Sequence, residues 1–203
     1  SALDYRLRQE MQLELKSLQR KLGITFILVT HDQEEALSIS DRIAVMHDGR
    51  VQQLGTPRDI YETPVNLTVA NFVGRANIFS TPVLSIEDNR LKVAFARREF
   101  TVKNKNKLAV AVNDNVNVLI RPEDFSVWDR TEVDTEEKQA MIPATVEQVV
   151  YKGSTVDLLL LADSGEKILA TQFFDEDDSE LNYRVGEKVW AEWRLDWEEL
   201  LLE

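Results

Sequence analysis

The sequence contains no cysteine, which removes disulfide scaffolds, thiolate metal sites and cysteine nucleophiles, and fits a reducing compartment. Histidine is almost as scarce. His31 and His47 are too few for a multi-histidine metal centre, so no metal site is expected. Long apolar runs are missing as well: the longest reach five residues, as at Leu158–Ala162, where a membrane helix needs ~18. Positive charge is in deficit, with 24 Lys and Arg against 36 Asp and Glu, a net charge of −12. That balance argues against nucleic acid as a partner, because phosphate binding needs a cationic surface. The chain starts at Ser1 without a basic-then-apolar leader, and Ser1-Ala2-Leu3-Asp4 reads as the interior of something longer.

What is present describes a folded protein. Hydrophobic content of 43% and charged content of 30% are those of a globular chain, and 203 residues suit one large domain or two small ones. Charge divides the chain. Residues 1–75 carry nine basic and ten acidic side chains, whereas 76–203 carry fifteen and twenty-six, so almost all the acidity lies in the second part. Two domains, 1–75 and 76–203, are expected.

The first part alternates helix and strand. Leu3, Leu7, Met11, Leu15, Leu18 and Leu22 form one apolar stripe on a long helix that Gly23 should stop. Ile24–Val29 is nearly continuous apolar and β-branched, the pattern of a strand buried on both faces of a parallel sheet. A helix over Gln33–Ser40 follows, then a strand at Arg42–Met46, a tight turn through Asp48-Gly49 and a second strand at Val51–Leu54. Thr56-Pro57-Arg58-Asp59 has the composition of a capped helix start, and Asn66–Val73 reads as one more short helix. The second part switches to period two, with strands predicted at 78–86, 90–96, 108–112, 116–121, 144–151, 155–161, 168–172 and 188–195. Such short strands between turn signals predict a small barrel of OB type, in one or two lobes. The fold class is therefore α+β overall: a partial α/β domain, then an all-β barrel.

Four features carry candidate chemistry. Asp4 stands at the start of the first helix, where a carboxylate suits the helix dipole or simply caps it. His31 follows the predicted strand within Thr30-His31-Asp32, at the carboxyl end where α/β sheets place ligand chemistry; alone, it could equally be structural. Ser40-Asp41-Arg42 combines an acid and a base at a strand start. Asp175, Glu176, Asp177 and Asp178 follow Phe173-Phe174; they could bind a polyamine or form a solvated loop.

Taken in order and at these spacings, Ser1-Ala2-Leu3-Asp4, Val29-Thr30-His31-Asp32-Gln33-Glu34-Glu35-Ala36, Ser40-Asp41-Arg42 and Gly49-Arg50 resemble the C-terminal part of an ABC-transporter nucleotide-binding domain. The segments Phe72–Phe79, Ile120-Arg121-Pro122-Glu123-Asp124 and Tyr151-Lys152-Gly153 resemble a transport-associated OB (TOBE) domain, as found behind the ATPase of many importers. Gln172–Asp178 and the Trp-rich end through Trp193 and Trp197 are most similar to ATPase subunits of polyamine (spermidine/putrescine) importers.

The resemblance implies the ATPase subunit of a bacterial ABC importer, peripheral on the cytoplasmic side of the inner membrane. Its partners would be a second copy, the transmembrane permease subunits and, indirectly, a periplasmic substrate-binding protein. It implies that His31 is the switch histidine beside the γ-phosphate, and that Ser1 and Asp4 belong to the D-loop at the nucleotide and dimer interface. The barrel would serve dimerisation or regulation. ATP and Mg²⁺ are the cofactors it implies for the intact parent. No G-x-x-x-x-G-K-[ST] phosphate loop, signature motif or Walker B carboxylate occurs here, so this chain alone is expected to bind no cofactor and hydrolyse nothing. The alternative is a regulatory module that senses a small cation or oxyanion without catalysis. Either way, an α/β remnant should expose the Leu3–Leu22 stripe and a sheet edge, and should oligomerise or lose order.

Overall fold

The computed structural model describes residues 2–130, 141–173 and 183–202, and the chain divides into two compact units, Ser1–Gly74 and Arg75–Glu203. Among the described residues every α-helix lies in the first, and the second is built mainly of strands.

The first unit opens with α1 (Ala2–Leu22). Gly23 stops it in the left-handed conformation at φ +63, its N–H donating to Gln19 O at 2.9 Å. The next helix, α2 (Gln33–Ile39), is capped by Asp32, whose carboxylate accepts from Glu35 N at 3.1 Å. β1 (Ile43–His47) and β2 (Arg50–Gly55) form an antiparallel hairpin. Its turn needs positive φ at both central residues, and Asp48 (φ 48) and Gly49 (φ 72) supply it. α3 (Pro57–Glu62) starts with a full capping box between Thr56 and Asp59, and α4 (Leu67–Phe72) is capped by Asn66. Ile43, Val45, Ile60, Val69 and Val73 form the small core that these pieces share.

One expected element is missing. Residues 24–29 are not a strand; they run without regular structure, and among the described residues the only sheet of this unit is the β1–β2 hairpin. A strand exists only through neighbours that satisfy its backbone, and a run apolar on both faces needs a flanking strand and cover above and below. Neither is present, so Ile27 is 90% and Val29 93% exposed. The α1 stripe is uncovered as well: Leu7, Met11, Leu15, Leu18 and Leu22 are all exposed.

The second unit packs two five-stranded antiparallel sheets. The strands are β3 (Asn77–Glu87), β4 (Arg90–Phe95), β5 (Arg98–Lys103), β6 (Asn115–Ile120), β7 (Phe125–Asp129), β8 (Ile142–Tyr151), β9 (Thr155–Ala162), β10 (Lys167–Phe173), β11 (Lys188–Trp193) and β12 (Glu199–Leu201). One sheet has the order β12-β6-β3-β4-β5 and the other β10-β9-β8-β11-β7. Both feed one core. Phe79 stacks on Phe95 with centroids 4.3 Å apart, and Trp193 lies within 4.7 Å of Phe100 and 6.2 Å of Phe125. Asn77 links the sheets: its carboxamide donates to Ile120 O (3.2 Å) and Leu169 O (2.8 Å), and accepts from Leu169 N (2.7 Å). One side chain thus gives edge strand β10 the pair of bonds a neighbouring strand would give.

The barrel departs from its predicted strands in five places. Leu108–Val112 is not a strand, because the Asn104 side chain accepts from Leu108 N (2.8 Å) and donates to Leu108 O (3.0 Å), standing in for a ladder partner. β5 was not predicted: the turn before it, Ala96-Arg97, takes positive φ (50 and 56) without a glycine to signal it. β7 and β12 are further additions, and the strand predicted to Leu195 stops at Trp193, ahead of a turn closed by Trp197 N to Arg194 O at 3.1 Å.

Candidate functional site

In the first unit, His31 is exposed and immediately precedes Asp32, the N-cap of α2. Asp32 N donates to Thr30 Oγ1 at 3.0 Å, so the backbone on either side of His31 is held by local side chains while the imidazole faces outward. α1 lies along α2, with Gln12 Nε2 donating to Glu35 Oε1 (3.2 Å) and Lys16 Nζ to Ser38 O (3.1 Å). Asp4 falls in the first turn of α1, near the opposite end from Gly23. Ser1 lies outside the described residues, and so do Asp175, Glu176, Asp177 and Asp178. Among the described residues no His/Asp/Glu group has a metal-holding arrangement, and no helix is long and apolar enough to cross a membrane.

In the second unit, three segments singled out in the sequence come together. Arg75 opens the unit, Arg121 follows β6, and Lys152 sits in the β8–β9 turn. Arg75 and Lys152 meet at Asp157 of β9, and Arg121 reaches Arg75. Lys152 Nζ lies 2.7 Å and Arg75 Nη1 3.2 Å from Asp157 Oδ2, while Thr171 Oγ1 donates to Oδ1 at 3.0 Å. Arg121, itself buried, donates from Nη1 to the carbonyl of Arg75 at 3.2 Å. Burial alone would push the Asp157 carboxyl up. The hydrogen bonds from Lys152 and Thr171 and the charges of Lys152 and Arg75 outweigh it and hold the group below the usual carboxylate range. Asp124, in the turn after Arg121, goes the other way. Burial, then the charge of Glu123, push it up to about 6, against the opposing pull of Arg121 and Lys105.

A second buried polar group ties the C-terminus to the barrel. Glu198 is fully buried and accepts from Trp193 Nε1 (3.1 Å) and Lys103 N (3.2 Å). Glu199 takes Lys105 Nζ at 2.7 Å and Asn106 Nδ2 at 3.3 Å. Sequence reasoning passed over Asp157, Glu198 and Glu199. The available signal for Asp157 was a single carboxylate inside the otherwise apolar Val156–Ala162.

Residues 118–198 match the family model of the TOBE domain. Along 99% of its length the chain is similar to spermidine/putrescine import ATP-binding proteins PotA: 49% identical over 201 residues to that of Legionella pneumophila, and 47% over 204 residues to that of Hahella chejuensis. In both cases the chain spans 54% of the relative, so it covers about half the length of the curated proteins it matches, their C-terminal part. Among solved structures, the cytoplasmic molybdate-binding protein ModG superposes with a TM-score of 0.51 at 14% identity, over 61% of this chain and 94% of that one. At that identity the likeness is one of fold.

Proposed function

We infer the function of a chain that carries a TOBE domain and matches, nearly end to end, the C-terminal part of spermidine/putrescine import ATP-binding proteins. It is a portion of the ATPase subunit of a bacterial ABC importer for polyamines, working on the cytoplasmic side of the inner membrane. A second copy, permease subunits and a substrate-binding protein are its partners. The observation that carries this is the position of His31: an outward-facing imidazole directly before the capped start of α2, inside the motif run whose order matches the ABC pattern. Ser1 and Asp4 take the D-loop positions at the interface with the second copy. The barrel serves dimerisation or regulation.

ATP and Mg²⁺ do not fit this chain alone. Its sequence has no phosphate loop, and its described residues offer no metal-holding carboxylate cluster. Residues beyond this chain would hold the nucleotide, so the 203-residue chain by itself is read as inactive. The uncovered apolar surface of α1 and residues 24–29 supports a unit that is completed by other chain.

The test is His31→Ala in a full-length subunit bearing this chain, assembled with its permease. ATP hydrolysis and spermidine uptake should fall together by about 10²-fold or more, the scale of losing a positioned catalytic group. Unchanged hydrolysis would remove His31 from the catalytic machinery.

A further inference from the structure

Asp157 occupies a place where a carboxylate is costly. Its side chain is only 8% exposed, on a strand whose neighbours Val156 and Leu158 are buried in the core. Three elements converge on it: the first residue of the second unit through Arg75, the β8–β9 turn through Lys152, and β10 through Thr171. Arg75 is also held by its backbone, since its carbonyl accepts from the buried Arg121. The turn that presents Lys152 is itself closed, Lys152 N donating to Thr155 O at 2.8 Å across Gly153, which sits at φ +89.

We propose that Asp157 is a clamp that fixes the opening residues of the second unit, 75–77, to the β8–β9 turn, so that the turn sets how freely those residues move. The energetics give the clamp its direction. An exposed ion pair contributes little, and the Arg75 side chain is 69% exposed. A buried carboxylate is different: once desolvated it must keep its donors, and losing one leaves an under-compensated charge. Asp157 therefore holds Arg75 and Lys152 more than either holds it. Because both cations meet the same oxygen, Oδ2, a change at Lys152 alters the field that Arg75 feels. Asn77, two residues on from Arg75, carries the restraint into the sheet joint through its bonds to Ile120 and Leu169. Asp157 is in this sense a positioning residue, and the reading does not depend on what the longer protein transports.

Hydrogen exchange on the 203-residue chain tests it. In Asp157→Asn, amides of residues 74–80 should exchange about tenfold faster, while those of β4 and β11 keep their rates. Lys152→Met, distant in sequence, takes the competing cation off Oδ2, so Asp157 should hold Arg75 more tightly and exchange at 74–80 should slow about threefold. Acceleration there in Asp157→Asn together with slowing in Lys152→Met supports the clamp. Unchanged or faster exchange there in Lys152→Met, or unchanged exchange in Asp157→Asn, overturns it.

Discussion

At the residue scale, charge placement decides most of what is specific here. Asp124 shows it through pH. Its folded value, about 6, stands above the ordinary carboxylate value near ~4, so the folded barrel binds more protons than the unfolded chain between those limits. Its contribution is complete below pH ~4 and is lost as pH rises through about 6, so the barrel should weaken across that window and level off above it. Asp124→Asn should flatten this slope and raise stability at pH 7 by roughly 1 kcal/mol, a figure reduced for the solvent that still reaches the group. Urea unfolding followed by tryptophan fluorescence checks it, since Trp128, Trp190, Trp193 and Trp197 all lie in the second unit. An unchanged slope would show that Asp124 is not the titrating group. Of the residues in this site, Arg75, Arg121 and Lys152 were visible in the sequence as parts of motifs. Asp157 was not, because one acid in an apolar run looks the same whether it faces solvent or three donors.

At the element scale, local chemistry was legible wherever an element closes on itself. The Gly23 stop, the Asp48-Gly49 turn and the Thr56–Asp59 capping box all follow from adjacent residues. Thr56 Oγ1 accepts from Asp59 N at 3.2 Å and Thr56 N donates to Asp59 Oδ2 at 2.9 Å, starting a helix that buries Ile60 completely. The Asp59 carboxyl is held below its usual range, first by the Thr56 backbone N–H and then by the Thr56 hydroxyl. Thr56→Ala should cost about 1 kcal/mol. Helical circular dichroism during urea unfolding reads it, because the α-helices of the described residues belong to the first unit. A loss below ~0.3 kcal/mol would mean that the packing of Ile60 carries α3 without its cap. Elements whose partners are distant were less legible. Residues 24–29 have strand composition but no flanking strand, while Leu108, which opens 108–112, is bonded by the side chain of Asn104 instead of by a strand.

At the scale of the whole molecule, the two units differ in how far each is closed. The second buries two sheets around one core; the first leaves the α1 stripe and residues 24–29 open. A six-residue, mainly apolar and β-branched run that belongs to no sheet is a template for pairing with another chain. The isolated chain should therefore self-associate in size-exclusion chromatography with light scattering, and Ile27→Lys with Val29→Lys should shift it toward monomer. A monodisperse 23.3 kDa species for the unaltered chain would contradict this.

The sequence by itself determined the charge division, the caps and turns, the period-two pattern of the barrel and the order of its motifs. Caps, turns and periodicity depend on residues within a few positions of one another, and charge division and motif order are read along the chain without any fold. Only the tertiary structure decided which runs become strands, that Asn77 joins two sheets, and that Arg75, Lys152 and Thr171 converge on Asp157. Those outcomes depend on which distant backbone or charge is brought into reach, and a buried polar group is stable only where folding delivers its partner.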